Sequence, residues 1–292
     1  VTPGEINITV SDELAESLSP QARRHIYPHF TFDNRTVMGR LIYAFPADRF
    51  DEFFGRSGLP PETVSLVRKL SYQSGSYLFF ADMPLAMKTL NTPALKLKLV
   101  KAALTKPTYV LRLHFTPDTD VEGLEHYWIR AGWGVDLRSL IESLARIPGG
   151  ARIDLIELLP PIPSSNLYTF PFPTLRPPDQ VQDCHWSSLN FFRDAPDPLS
   201  LTAEYKQKVF NSDYFPVLDD PRYGDIVALT NQNGTILHTA VYLADDFVYT
   251  KNSGNYRDPF ILMRIPEMLD LFSGTVPEDQ KLEVHYLRNK YY

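Results

Sequence analysis

The sequence predicts an α+β fold in two domains, and three observations carry that reading. The dipeptide Asn233-Gly234 stands between two apolar-alternating runs, residues 223–229 and 235–243, which is the pattern of paired antiparallel strands. Asp183 opens a helical run in which Trp186, Leu189 and Phe192 recur at intervals of three, so a helix belongs beside that sheet. From Pro160 to Pro178 there are seven prolines, which disfavour regular structure and mark a boundary. The expected division is an accessory α+β domain over residues 1–160 and a second α+β domain over 161–292, joined through 160–178.

The elements follow in order. Residues 1–40 are polar and irregular, and 41–45 read as a strand. Residues 48–54 and 61–70 read as short helices, the second with proline at its start, where the missing N–H costs nothing. A strand is expected at 77–80. A helix follows over 94–105, whose Lys96, Lys98 and Lys101 form a solvated face. Residues 109–115 alternate as a strand, 121–130 and 136–146 as helices, and Gly149-Gly150 stops the second before a strand at 151–159. After the Cys184 helix come a helix at 201–210 and a turn-rich stretch to Pro221. Strands at 247–252, 260–265 and 281–287 complete the sheet, with a helix starting at Pro266 between the last two. No internal repeat or low-complexity tract occurs.

Composition narrows the function classes. The chain has 292 residues, 43% of them hydrophobic and 22% charged, which is long enough to bury a sizeable core. Its net charge of −6 argues against a nucleic-acid partner. No apolar run approaches the ~18 residues that a membrane span needs. A single cysteine excludes an internal disulfide and leaves the redox compartment open. The chain begins Val1-Thr2-Pro3, with neither an initiator methionine nor an export signal, which leaves a removed leader or an artificial start.

That cysteine, Cys184, sits at the start of the predicted helix, where unpaired backbone N–H groups favour a thiolate. A helix terminus supplies only ~0.3–1 kcal/mol, less than one pKa unit, so a second group is required. His185 adjoins it but points about 100° away around the helix. His238 lies 54 positions on (238 − 184) in the predicted strand, and it is the preferred base and proton donor. Cysteine on a helix start followed by histidine on a sheet is the layout of a papain-like thiol hydrolase.

Three pieces of sequence then carry a family resemblance: Asp183-Cys184, Gly224-Asp225-Ile226-Val227, and His238-Thr239-Ala240-Val241-Tyr242-Leu243. In this order and spacing, residues 165–292 resemble the NlpC-type cell-wall cysteine peptidases, a papain-like group. The resemblance implies a helix bearing the cysteine packed on an antiparallel sheet bearing the histidine. It also implies an exported protein acting on peptide bonds of cell-wall stem peptides, with no cofactor and no metal. Two departures stand out. The family's Asp-Cys-Ser-Gly is here Asp183-Cys184-His185-Trp186, whose bulk is expected to narrow the cleft. The family's third catalytic histidine is replaced by Val248-Tyr249-Thr250-Lys251-Asn252, where Thr250 is the preferred ring-orienting residue and Asn252 the alternative. Tyr168 is a candidate for the oxyanion side, equally readable as a loop aromatic. Residues 1–160 resemble no family and are expected to brace or shape the hydrolase domain.

Two other function classes compete with the hydrolase: a non-catalytic binding module on the same fold, motivated by the replaced histidine, and a thioester acyltransferase. Other chemistry is set aside. There is no Gly-x-Ser-x-Gly elbow and no phosphate-binding loop. His25 and His29 are separated by Pro28, His114 and His126 lack acidic neighbours, and Asp219-Asp220 and Asp245-Asp246 read as turn formers.

Overall fold

A computed structural model describes residues 11–29, 42–130, 133–134, 137–171, 182–254 and 256–291. The fold is mixed α+β, with antiparallel sheets throughout. It divides into two compact units, Val1–Thr105 with Asp270–Lys281, and Lys106–Leu269 with Leu282–Tyr292. The division therefore falls after Thr105, ahead of the proline-rich segment. Residues 106–159 join the C-terminal unit because their apolar side chains have no separate core. Phe115, Trp128, Ile141 and Leu155 are buried in one cluster with Trp186, Val241 and Tyr249.

The first unit begins with helices α1 (Asp12–Ser17) and α2 (Pro20–Ile26), in a stretch expected to be irregular. Ser11 and Ser19 cap them by accepting the N–H groups of Leu14 and Ala22, a local signal that serine supplies at a helix start. Strand β1 (Tyr43–Pro46), helix α3 (Pro61–Leu70), strands β2 (Tyr72–Ser74) and β3 (Tyr77–Phe80), and helices α4 (Met83–Lys88) and α5 (Pro93–Leu104) follow. The three strands form a sheet in the order β1-β3-β2. Its core stacks Phe50 on Phe54 with centroids 4.7 Å apart and sets Phe45 against Phe54 at 4.9 Å. Arg23 is wholly buried, and its guanidinium reaches the Asp82 carboxylate and the Tyr27 hydroxyl.

In the second unit, β4 (Arg112–Phe115) and β5 (Ala151–Asp154) form a two-stranded ladder, with α6 (Val121–Trp128) and α7 (Leu137–Ala145) between them in sequence. The strand expected at 151–159 stops at Asp154 and continues as a turn of 3-10 helix over Leu155–Leu158. Helix α8 (Pro161–Asn166) lies inside the proline-rich segment. Its prolines occupy the cap and first turn, where a helix tolerates them. The rest of that segment, 172–181, lies outside the described residues.

Helices α9 (Cys184–Leu189) and α10 (Ala203–Asp213) precede β6 (Tyr214–Val217), β7 (Ile226–Thr230), β8 (Ile236–Ala244), β9 (Phe247–Lys251) and β10 (Phe260–Arg264). Helix α11 (Ile265–Ser273) and β11 (Glu283–Asn289) complete the chain. Six strands form one sheet in the order β10-β9-β8-β7-β11-β6. The turn between β7 and β8 is built as its sequence requires. Asn231 accepts the N–H groups of Asn233 and Thr235 on its side-chain oxygen, and Gly234 takes φ +74°, a value that costs glycine little.

Candidate active site

Helix α9 is short because polar side chains hold both of its ends. At its start, the Asp183 carboxylate accepts the N–H of Trp186 at 2.8 Å. The other carboxylate oxygen meets the Lys206 ammonium of α10 at 2.6 Å, and Lys206 is itself buried. At its end, the Asn190 amide donates to the Trp186 carbonyl and to Ser200, both at 2.8 Å. This takes the place of a further helical turn, so Phe192, expected on the helix stripe, lies beyond the helix and packs edge-on against Tyr223.

The helix lies over strands β8 and β9. The Thr239 hydroxyl bonds to His185 Nδ1 at 3.0 Å and receives the Ser188 hydroxyl at 3.1 Å. Trp186 is buried with Val241, Leu243 and Tyr249 and faces Phe260. It is thus turned into the core rather than towards a cleft. His185 is likewise packed inward, edge-on to Phe210, and burial holds its imidazole below the usual value.

Cys184 occupies the first position of α9 and is buried. The backbone N–H groups of Thr239 and His185 are near enough to favour its thiolate. These donors and the nearby Lys206 favour the thiolate, whereas burial and the Asp183 carboxylate oppose it. The second pair dominates, with burial the largest, and the thiol is pushed up to about 11. The expectation that the helix start would by itself favour a thiolate fails for that reason: desolvation of a buried anion outweighs a fraction of a kcal/mol from a short helix.

His238 sits on β8, wholly buried, with Nε2 2.9 Å from Thr250 Oγ1 on β9. The Thr250 hydroxyl donates its one proton to Asn252 Oδ1 at 3.3 Å, and the Asn252 amide nitrogen is turned to Met263 Sδ at 3.0 Å. Thr250 oxygen must then accept from His238, which assigns the ring proton to Nε2 and the lone pair of the neutral ring to Nδ1. Thr250 and Asn252, alternatives in the sequence, act here in series. Burial, with a smaller contribution from His185, holds the His238 imidazole well below 6.5.

The Thr239 N–H that favours the Cys184 thiolate belongs to the peptide joining Thr239 to His238 on β8. Alternation turns the His238 ring to the side of the sheet that carries Thr250 and Asn252, and Thr239 to the side covered by α9. Tyr168 is placed elsewhere. Its N–H donates to the Phe260 carbonyl and its hydroxyl to the Tyr109 carbonyl, each at 2.8 Å. None of these described bonds involves Cys184. The backbone there has φ +65°.

The Gly224-Asp225 pair has a structural role. Asp225 is buried and accepts three bonds from Arg288, the closest at 2.7 Å, and the N–H of Arg222 at 2.8 Å. Thr239 and Lys206 were not legible as site residues.

Among the described residues, no three His, Cys, Asp or Glu side chains converge as metal ligands, and no helix is long and apolar enough to cross a membrane. Compared with known proteins, the chain matches no family model, no curated protein and no solved structure.

Proposed function

We propose that the C-terminal unit is a papain-like, NlpC-type thiol hydrolase that cleaves amide bonds in cell-wall peptides of an exported setting. The observation that carries the proposal is the His238–Thr250–Asn252 series. It assigns the proton to Nε2, and so presents Nδ1 as the base.

The mechanism uses these groups in turn. In this reading substrate binding brings a carbonyl carbon to Cys184. The His238 imidazole, whose ring stands on the far side of β8 in the resting chain, must turn to the sulfur to take the thiol proton before the thiolate attacks to give a tetrahedral oxyanion. The backbone N–H of His185, at the helix start, would receive the developing negative charge. His238 returns the proton to the leaving amine, and the resulting thioester is hydrolysed with the same ring acting as base towards water. The third residue need only hold the ring, which a hydroxyl relayed to an amide can do.

Cys184→Ala should abolish release of soluble fragments from purified peptidoglycan, and unchanged release would remove the proposal. Thr250→Val, which keeps the shape of the side chain but loses its acceptor, should lower turnover at least tenfold with little change in substrate affinity, as expected for an interaction that matters mainly in the transition state.

A second reading has its own support. Burial leaves both the thiol and the imidazole neutral near pH 7, a resting state suited to a binding module that has lost turnover. Iodoacetamide labelling separates the two: selective alkylation of Cys184 near pH 6 excludes the binding module, and a thiol inert below pH 8 favours it.

A further inference from the structure

Glu125 of α6 is only 9% exposed, yet one of its carboxylate oxygens, Oε1, is shut off from water without a hydrogen-bond partner. The other lies 3.4 Å from Arg138 Nε of α7, but that nitrogen donates its single hydrogen to Glu142 at 3.3 Å. A carboxylate offers about four acceptor sites and is costly to bury without donors, so Glu125 is short of them. Its surroundings show where a donor would enter. Glu125 lines a groove between α6 and α7 that is open to solvent. Val121, Glu125 and Ile129 recur at intervals of four along α6 and its C-cap, which sets them in one row, and Arg138 and Glu142 stand on the α7 wall. Glu122 adds a further, exposed carboxylate at the rim.

We propose that this groove binds a linear primary alkylammonium, the chemistry of a lysine side chain, with the ammonium on Glu125 and the methylene stem along the apolar residues of the same row. Three features select that ligand. Glu122, Glu125 and Glu142 outnumber Arg138 and Arg146, the second of which meets Glu142 at 3.2 Å, so the groove favours a cation. The carboxylates do not converge as metal ligands do, which suits a head that brings its own three N–H donors. Four residues of helix rise about 6 Å, so an apolar side chain stands on either side of Glu125 at about the reach of a four-carbon stem, and such stems lie well along apolar surface. Arg138 is the resident competitor. Its side chain is 66% exposed, and it keeps its bond to Glu142 when a ligand takes Glu125. The inference goes beyond the thiol-hydrolase reading and does not depend on it.

The test is a backbone-amide NMR titration of the full chain at about pH 7.5 with three probes: Nα-acetyl-lysine methylamide, its norleucine counterpart, which keeps the stem and lacks the ammonium, and n-butylamine. The lysine probe should shift the amides of α6 and α7 saturably, with half-saturation at roughly 1–10 mM, and the norleucine probe should not. Glu125→Gln, which keeps the shape and loses the charge, should weaken binding about tenfold, and Arg138→Gln, which removes the competitor, should tighten it about threefold. A response that does not saturate, equal shifts from norleucine, or unchanged affinity in Glu125→Gln would overturn the inference. Should Glu125→Gln fail to fold, the exposed position decides: binding in Arg138→Gln no tighter than in wild type overturns it. Butylamine distinguishes the sources. Weaker binding than the lysine probe assigns a peptide-borne lysine, and equal binding assigns a free amine. The readout needs no turnover, so its failure leaves the hydrolase reading standing, and loss of peptidoglycan cleavage leaves the groove standing.

Discussion

Asp183 does two jobs with one carboxylate. One oxygen caps α9 and the other holds the buried Lys206 ammonium. The jobs differ in cost: a lost cap is worth ~1 kcal/mol, whereas a buried charge stripped of its partner is worth about 3–5 kcal/mol. Asp183→Asn keeps the cap acceptor and removes the charge, so it should destabilise the protein by about 3 kcal/mol in urea titration. Adding Lys206→Met should restore most of that loss. If the double variant is no more stable than the single one, the ion pair is not what Asp183→Asn removes. At this scale the sequence was readable in part. An aspartate before a helical run announces a cap, but its second partner lies 23 residues on, in a different helix, and no local pattern points to it.

At the scale of elements, the Gly224 turn shows how one residue sets the start of β7. Its φ is +88°, and a Cβ built there would lie 2.2 Å from the Phe192 ring. The glycine N–H donates to the Tyr242 carbonyl at 2.9 Å, and the Tyr242 N–H returns to Asp225 at 2.8 Å. Gly224→Ala thus meets both a left-handed backbone and an overpacked contact. It should cost about 2–4 kcal/mol, read as a lower thermal midpoint, and a midpoint within 1 °C or so of wild type would refute the account. Hairpin and alternation signals located β7, β8 and β9 well, because each depends on adjacent residues. The end of α9 was overestimated, because the Asn190 side chain that replaces its next turn also bonds to Ser200, in a segment the periodicity does not include.

For the whole molecule, the buried histidines link stability to pH. Burial holds both His238 and His185 below 6.5 in the folded state, while in the unfolded chain they titrate near the ordinary ~6.5. As pH falls through about 6.5, the unfolded state takes up protons that the folded state refuses, so stability is full above that value and declines below it. The urea midpoint should fall between pH 7 and pH 5, and His238→Gln should flatten that slope. An equally steep slope in the variant would place the titrating groups elsewhere.

Taken alone, the sequence determined the α+β class, the capped helix that begins at Cys184, the strand that bears His238 and the hairpin before it. Each of these is written in residues close together along the chain, where capping, alternation and turn chemistry act. The tertiary structure decided what those elements are grouped with. It moved residues 106–159 into the C-terminal unit, turned Trp186 into the core and ran Thr250 and Asn252 in series. It also reversed the expected ionisation of Cys184. Burial is a property of everything packed around an atom, and the neighbours that desolvate this sulfur come from α9, α10, β8 and β9, elements whose proximity no spacing in the sequence encodes.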